Sequence, residues 1–235
     1  MYILVISMVS ERICLLAPTR VPLRGVVSGE WKVLTETHGD FGSQKLSEAR
    51  PRLIVGISGA SGLVYGVRTL EIAQRLGLET HLVMSKSAKL AAAHELSITL
   101  KEIEALASVV HRVDNVAAAI SSGSFKTLGM IVAPCSIRSL SEIAYGTTSN
   151  LLTRAADVIL KERRRLVLMV RETPLHIGHL KSMLQVSEAG AIVMPPVPAF
   201  YLRPQTIDEM VNHTVGRALD LFGLTVPDLP RWSGT

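Results

Sequence analysis

Arg171 and Glu172 follow directly on the apolar run Leu166–Val170, and Lys161 stands ten residues before Arg171. Two cations and a carboxyl group can grip a phosphate through charge-assisted hydrogen bonds, and the carboxyl group can protonate it as it leaves. Upstream, Gly56-Ile-Ser-Gly59-Ala-Ser61-Gly62 continues a second apolar run, Leu53–Ser58. Glycines at this spacing let backbone N–H groups approach an anion at a helix N-terminus, a phosphate- or flavin-binding pattern. A dinucleotide fingerprint would also need an acid at the end of the next strand, to bind a ribose hydroxyl. Ser85 and Lys86 stand there, and Glu79 stands at the other end of that strand. NAD is therefore disfavoured, and a mononucleotide such as FMN fits better. The expectation is phosphate chemistry beside a flavin, with Lys161, Arg171 and Glu172 gathered at one edge of an α/β sheet.

Other residues admit two readings. Ser121-Ser122-Gly123-Ser124-Phe125 is an ordinary turn or a second ligand loop, placed before the strand that ends at Pro134-Cys135-Ser136. Cys135 has no histidine paired with it in the sequence and is expected to pack as a small apolar residue. Arg154, on an otherwise apolar helix, either pairs with Asp157 or presents its guanidinium to a flavin. Glu95, after an alanine-rich helix, reads by itself as a surface acid. His176 and His179 have a spacing compatible with metal ligation, but no third ligand accompanies them and no metal is expected. Arg163-Arg164-Arg165 is read as a solvated run at a helix C-terminus. A nucleic-acid site would add zinc-finger or helix-turn-helix patterning, which the sequence lacks.

These residues need a scaffold. From Arg52 onward the sequence predicts strands over Leu53–Ser58, Thr80–Met84, Met130–Ala133, Leu166–Val170 and Ala191–Met194. Between and after them it predicts helices over about Leu63–Leu76, Lys86–His94, Leu151–Glu162 and Ile207–Phe222. Apolar strands alternating with helices imply one doubly wound α/β domain, Rossmann-like or flavodoxin-like, whose parallel sheet is covered on both faces. Ligands of such sheets bind beyond the carboxyl ends of the strands. Ser58–Gly62, Ser85, Pro134–Ser136, Arg171-Glu172 and the Pro195–Tyr201 loop all fall there.

The 235 residues are 48% hydrophobic, 4% aromatic and carry a formal charge of +5. No apolar run approaches the roughly 20 residues of a membrane helix, so the surplus apolar surface is expected in subunit interfaces. Scarce aromatics argue against stacked single-strand nucleic-acid recognition. Cys14 and Cys135 form no CxxC and fit a reducing compartment. Residues 1–50 read as an extension, with the folded domain expected over 51–235. Met1–Val9 is apolar but lacks the basic start of a secretory signal. Arg12, Arg20 and Arg24 weakly resemble a mitochondrial presequence until Glu30, Glu36, Asp40 and Glu48 dilute it. A disordered extension, a presequence and a misassigned start codon are the readings left open.

Seven segments then occur in order: Val55–Gly62, Glu79–Lys86, Ile120–Phe125, Gly129–Ser136, Leu152–Asp157, Arg171–Leu175 and Pro195–Tyr201. As a series, over about Arg52 to Trp232, they resemble the UbiX/Pad-type flavin prenyltransferases, above all the bacterial UbiX branch. The resemblance implies transfer of a dimethylallyl group, from its mono- or pyrophosphate, to reduced FMN. N5 would capture the allyl carbon and C6 would close a fourth ring. The prenylated FMN would serve a UbiD-type decarboxylase. A cytoplasmic homododecamer with sites at subunit interfaces is implied too, and bacterial members begin near Arg52, which favours a misassigned start.

By the same resemblance, flavin contacts fall on Gly59, Ala60, Ser61, Ser85, Ser136 and Arg154. Phosphate contacts fall on Lys161, Arg171, Tyr201 and Arg217, with Glu172 touching the phosphate as proton donor. Glu95, with Ser61, would handle the proton released from the flavin ring. Preorganised cations stabilise a departing phosphate best where water is excluded. Glu172 can donate a proton only where burial or the phosphate's own charge favours its neutral form, against the pull of Arg171 and Lys161. Two positions depart from the pattern. Leu96 replaces the threonine that commonly follows the acid at Glu95, and Lys181 adds positive charge near the expected phosphate edge. A non-catalytic flavin-binding subunit of the same fold is the alternative function, and it would lack the phosphate cluster. A cysteine decarboxylase of related fold would need signatures that are not found.

Overall fold

The computed structural model describes residues 50–227 and 229–231. The extension expected over residues 1–50, Cys14 included, lies outside the described residues apart from Arg50. Six strands make one sheet: β1 (Arg52–Ile57), β2 (Glu79–Met84), β3 (Val109–His111), β4 (Gly129–Cys135), β5 (Arg165–Val170) and β6 (Ile192–Val193). Their order is β3-β2-β1-β4-β5-β6, and every pairing is parallel. This is the doubly wound order 3-2-1-4-5-6, whose direction reverses between β1 and β4.

The continuous apolar runs are explained by burial on both faces. Leu53, Val55 and Ile57 point to one side with Ile131 and Met169. Ile54 points to the other with Met130, Val132 and Leu168, as a period of two requires. The first face is covered by α1 (Leu63–Arg75), α2 (Lys86–Glu95), α3 (Leu100–Ala105) and α7 (Ile207–Asp220). The second is covered by α4 (Ile137–Ala144), α5 (Leu151–Lys161) and α6 (Ile177–Glu188).

Some of these elements go beyond the sequence prediction. Edge strand β3 has three residues, too few for an alternation to register. Helix α3 is announced by a capping box between Thr99 and Glu102, the sequence signal that finds it. Helix α4 starts at Ser136, whose hydroxyl accepts the Ser139 N–H. Helix α6 starts at His176, whose Nδ1 accepts the Gly178 N–H at 3.0 Å. That histidine therefore serves as a helix cap. The last strand is shorter than Ala191–Met194, reduced to two residues.

Helix α1 lies close on the sheet because Gly66 carries no side chain. A Cβ there would strike the Ala133 carbonyl and come within 2.7 Å of Ile57 Cδ1. Overpacking costs roughly 1–3 kcal/mol, which outweighs the ~1 kcal/mol that alanine gains over glycine in a helix. Gly66→Ala should therefore lower the midpoint of urea unfolding, whereas an unchanged midpoint would mean that α1 can lift from the sheet without loss.

Candidate active site

At the β1–β4 reversal the strand ends are tied together by one buried hydroxyl. Ser58 Oγ donates to the Pro134 carbonyl at 2.9 Å and accepts the Ser136 N–H at 2.7 Å. The Ser85 N–H donates to the Ile57 carbonyl at 2.9 Å, holding β2 beside them. Three helices begin around these ends. Ser85 caps α2 by accepting the Ala88 N–H at 3.1 Å, and Ser136 caps α4. Gly62, at φ +98, precedes α1 and has no side chain to cap it. Helix N-termini carry partial positive charge and unpaired N–H groups. Hydroxyls, backbone donors and the lack of an acid at the end of β2 suit a flavin mononucleotide here. The Gly59 turn also closes tightly on α2: a Cβ on Gly59 would sit 2.5 Å from Ser87 Cβ.

The α1 N-terminus already holds an anion, and it belongs to the chain itself. The Glu95 carboxylate accepts the Gly62 N–H at 2.8 Å and the Leu63 N–H at 3.1 Å. Partial burial works against its charge. The Ser61 hydroxyl, these two backbone N–H groups and nearby Arg171 outweigh that and hold its pKa below the ordinary carboxylate value. Taken alone, Glu95 reads as a surface acid because sequence spacing hides a contact across 33 residues. Leu96 ends α2 and packs against the core, and Glu95 reaches its partners with leucine in that place.

Arg171 and Glu172 leave the end of β5 at the same edge. The Arg171 N–H donates to the Cys135 carbonyl at 3.1 Å, and Glu172 Oε1 accepts the Thr173 N–H at 3.0 Å. Both side chains are exposed in the single chain. Cys135 is fully buried and burial pushes its thiol pKa up to about 12, so it packs as an apolar residue. Arg154 pairs with Asp157 at 2.8 Å, the structural reading of that residue.

Lys161 is not beside Arg171, contrary to the sequence expectation. It ends α5, which runs back along the sheet to feed β5. Its Nζ bonds Glu162 at 2.5 Å, next to Gly123, while Arg164 holds the Gly123 and Phe125 carbonyls. The six residues of β5, at about 3.3 Å each, separate this corner from Arg171 by roughly 20 Å. The Ser121–Phe125 loop belongs to that opposite edge too. Arg217 lies in the last turn of α7, five residues before Phe222, which packs at Gly129 where β4 begins. Tyr201 stands edge-on to His213, with ring centres 6.3 Å apart, one helical turn before Arg217. The expected residues thus form one group at the strand C-termini and two others elsewhere on the chain.

This geometry can be set beside known proteins. The Flavoprotein family model matches residues 42–218. The flavin prenyltransferase UbiX of Escherichia coli (strain K12) is 58% identical over 186 residues, covering 78% of this chain and 98% of the relative. The chain belongs to the UbiX flavin prenyltransferases. A UbiX crystal structure in complex with FMN and dimethylallyl pyrophosphate superposes with a TM-score of 0.78 at 48% identity, over 80% of this chain and 100% of that one. A dodecameric FMN-dependent UbiX-like decarboxylase from Escherichia coli O157:H7 gives 0.76 at 48% identity, over 78% and 100%. Membership of this family makes the chain a transferase.

Because Glu95 titrates below its unfolded value, it stabilises the fold above that value, and the benefit is lost as pH falls through the folded one. The Glu95→Gln variant lacks that contribution. Its melting temperature should lie below the wild type at pH 7, and the gap should close as pH drops below about 4. A gap independent of pH would contradict a charged cap on α1.

Proposed function

We propose that the chain joins a dimethylallyl group, delivered as its mono- or pyrophosphate, to reduced FMN and releases prenylated FMN. The observation that carries this reading is the convergence of three helix N-termini, Glu95 and the Arg171-Glu172 pair at the β1–β4 reversal. Reduced FMN, once bound, supplies the nucleophilic N5 and C6 positions. Ser61, Ser85, Ser136 and the backbone of Gly59 and Ala60 hold it, and Arg154 joins them by turning from Asp157. Arg171 binds the donor phosphate, and each charge-assisted hydrogen bond to it contributes roughly 1.5–3 kcal/mol. Glu172 gives its proton to the departing phosphate oxygen. Glu95, held ionised, accepts through the Ser61 hydroxyl the proton that the flavin ring releases.

Glu172 is exposed in one chain, so desolvation at the phosphate has to come from another copy. Lys161 and Arg217 reach the phosphate from neighbouring copies, since their own chain holds them away from Arg171, and Tyr201, packed against His213 one turn before Arg217, comes with Arg217. A homododecamer is the assembly proposed. It is supported by the dodecameric relative and by uncovered apolar side chains. Ile177, Leu180 and Leu184 make one stripe on α6, with Val197, Phe200 and Ile207 also exposed. Among the described residues no helix is long and apolar enough to cross a membrane. A cytoplasmic setting, a UbiD-type decarboxylase as recipient of the product, and residues 51–235 as the working domain complete the proposal, with no nucleic-acid or membrane partner.

The test is anaerobic incubation with reduced FMN and each dimethylallyl phosphate, followed by flavin mass measurement. A flavin heavier by one prenyl unit is expected; tightly bound, unchanged FMN would favour a non-catalytic flavin carrier. Glu172→Gln should slow transfer by about 10²-fold or more with FMN affinity nearly unchanged. Equal losses in both would remove Glu172 from proton donation.

A further inference from the structure

Beyond the residues already assigned, α7 ends in a compact charged group. Arg217 NH1 donates to Asp220 Oδ2 at 2.5 Å. Arg231, eleven residues on, grips the same carboxylate with both ends of its fork, NH1 to Oδ2 at 2.9 Å and NH2 to Oδ1 at 2.7 Å. The segment carrying Arg231 is seated by a second contact. Leu229 lies against Gly216, where a Cβ would come within 2.5 Å of Leu229 Cδ1, and Pro227 and Pro230 stiffen the turn between.

We propose that Asp220 and Arg231 are positioning residues for Arg217, orienting its guanidinium towards the donor phosphate while leaving the group as a whole net positive. This rests on the reading that Arg217 binds that phosphate.

One carboxylate between two guanidinium groups leaves the trio at +1. Arg217 spends one of its five N–H donors on Asp220, and its side chain stays 48% exposed, open to an incoming anion. Asp220 is the buried member, with a side chain 15% exposed, so its orientation is fixed. Hydrogen bonds and charge from Arg231 first, and then from Arg217, hold its pKa below the usual value against partial burial, and the carboxylate stays ionised.

Removing Arg231 would leave Asp220 to neutralise Arg217 alone, and a phosphate would have to compete with it. Removing the Asp220 charge would release Arg217 from its orienting ion pair and set two like charges against each other, and this loss of orientation is expected to outweigh the added positive charge. Both changes weaken donor binding. Neither touches the flavin-facing edge, which lies at the other end of the sheet from this group.

The experiment is steady-state prenyl transfer by the full chain, with dimethylallyl monophosphate varied under anaerobic reducing conditions. FMN affinity and particle mass are measured alongside. Asp220→Asn and Arg231→Gln should each raise the donor KM by about tenfold, with little change in kcat, FMN affinity or assembly. Arg231→Lys keeps the charge without the planar fork and should fall between. In an Arg217→Ala background Asp220→Asn should add nothing, which a merely structural role would not produce. Additive losses, or an unchanged donor KM in both single variants, would overturn the proposal. If Arg217→Ala itself left the donor KM unchanged, the phosphate reading of Arg217 would fail first and take the proposal with it. If Asp220→Asn does not fold, the exposed Arg231 variants decide alone.

Discussion

In a parallel sheet with helical crossovers, every strand must end, and every following helix begin, at the same edge. Helices then run back and end at the other edge. This constraint sorts the chemistry of the chain. Helix N-termini, hydroxyl caps and the Arg171-Glu172 pair accumulate where the strands finish. Cations placed late in a helix, Lys161 in α5 and Arg217 in α7, are carried to the opposite side. No side-chain rotation crosses a sheet roughly 20 Å tall. A site using both sets must therefore be shared between copies, and the apolar side chains left uncovered on α6 suit that arrangement.

The flavin edge is prepared in advance. Ser58 locks the ends of β1 and β4 through two short bonds, and Glu95 lends α1 the cap that Gly62 cannot provide. The same contacts that complete the helix keep Glu95 ionised and in touch with Ser61. In the proposed role of Glu95, structural and chemical demands on this carboxylate coincide, since a base that is already hydrogen-bonded and charged needs no reorganisation to receive a proton. The distant cations are each paired with a neighbouring acid, Lys161 with Glu162 and Arg217 with Asp220.

Much of this was legible in the sequence because burial on both faces writes strands as unbroken apolar runs. Leu53–Ser58, Thr80–Met84 and Leu166–Val170 fall within a residue or two of β1, β2 and β5. Edge elements were harder. Strand β3 has three residues, two of them exposed, so no pattern accumulates. Ser58, Ser85 and Ser136 were placed at the right edge because their positions follow from strand direction. The partnership of Glu95 with α1, and the separation of Lys161 from Arg171, were not legible. The first is a contact between distant segments, and the second depends on the direction of a helix rather than on the ten-residue spacing.

Shared sites make a sharp demand on mixed assemblies. Lys161→Ala and Arg171→Ala should each abolish prenyl transfer when assembled alone. Co-expressed with different tags and purified through both, they should yield hybrid particles with sites that unite an intact Lys161 from one copy with an intact Arg171 from another. Activity well above either parent is the expected result. Hybrids as inactive as their parents, with assembly intact, would mean that each chain completes its own phosphate site and that the division between the two sheet edges has no catalytic meaning.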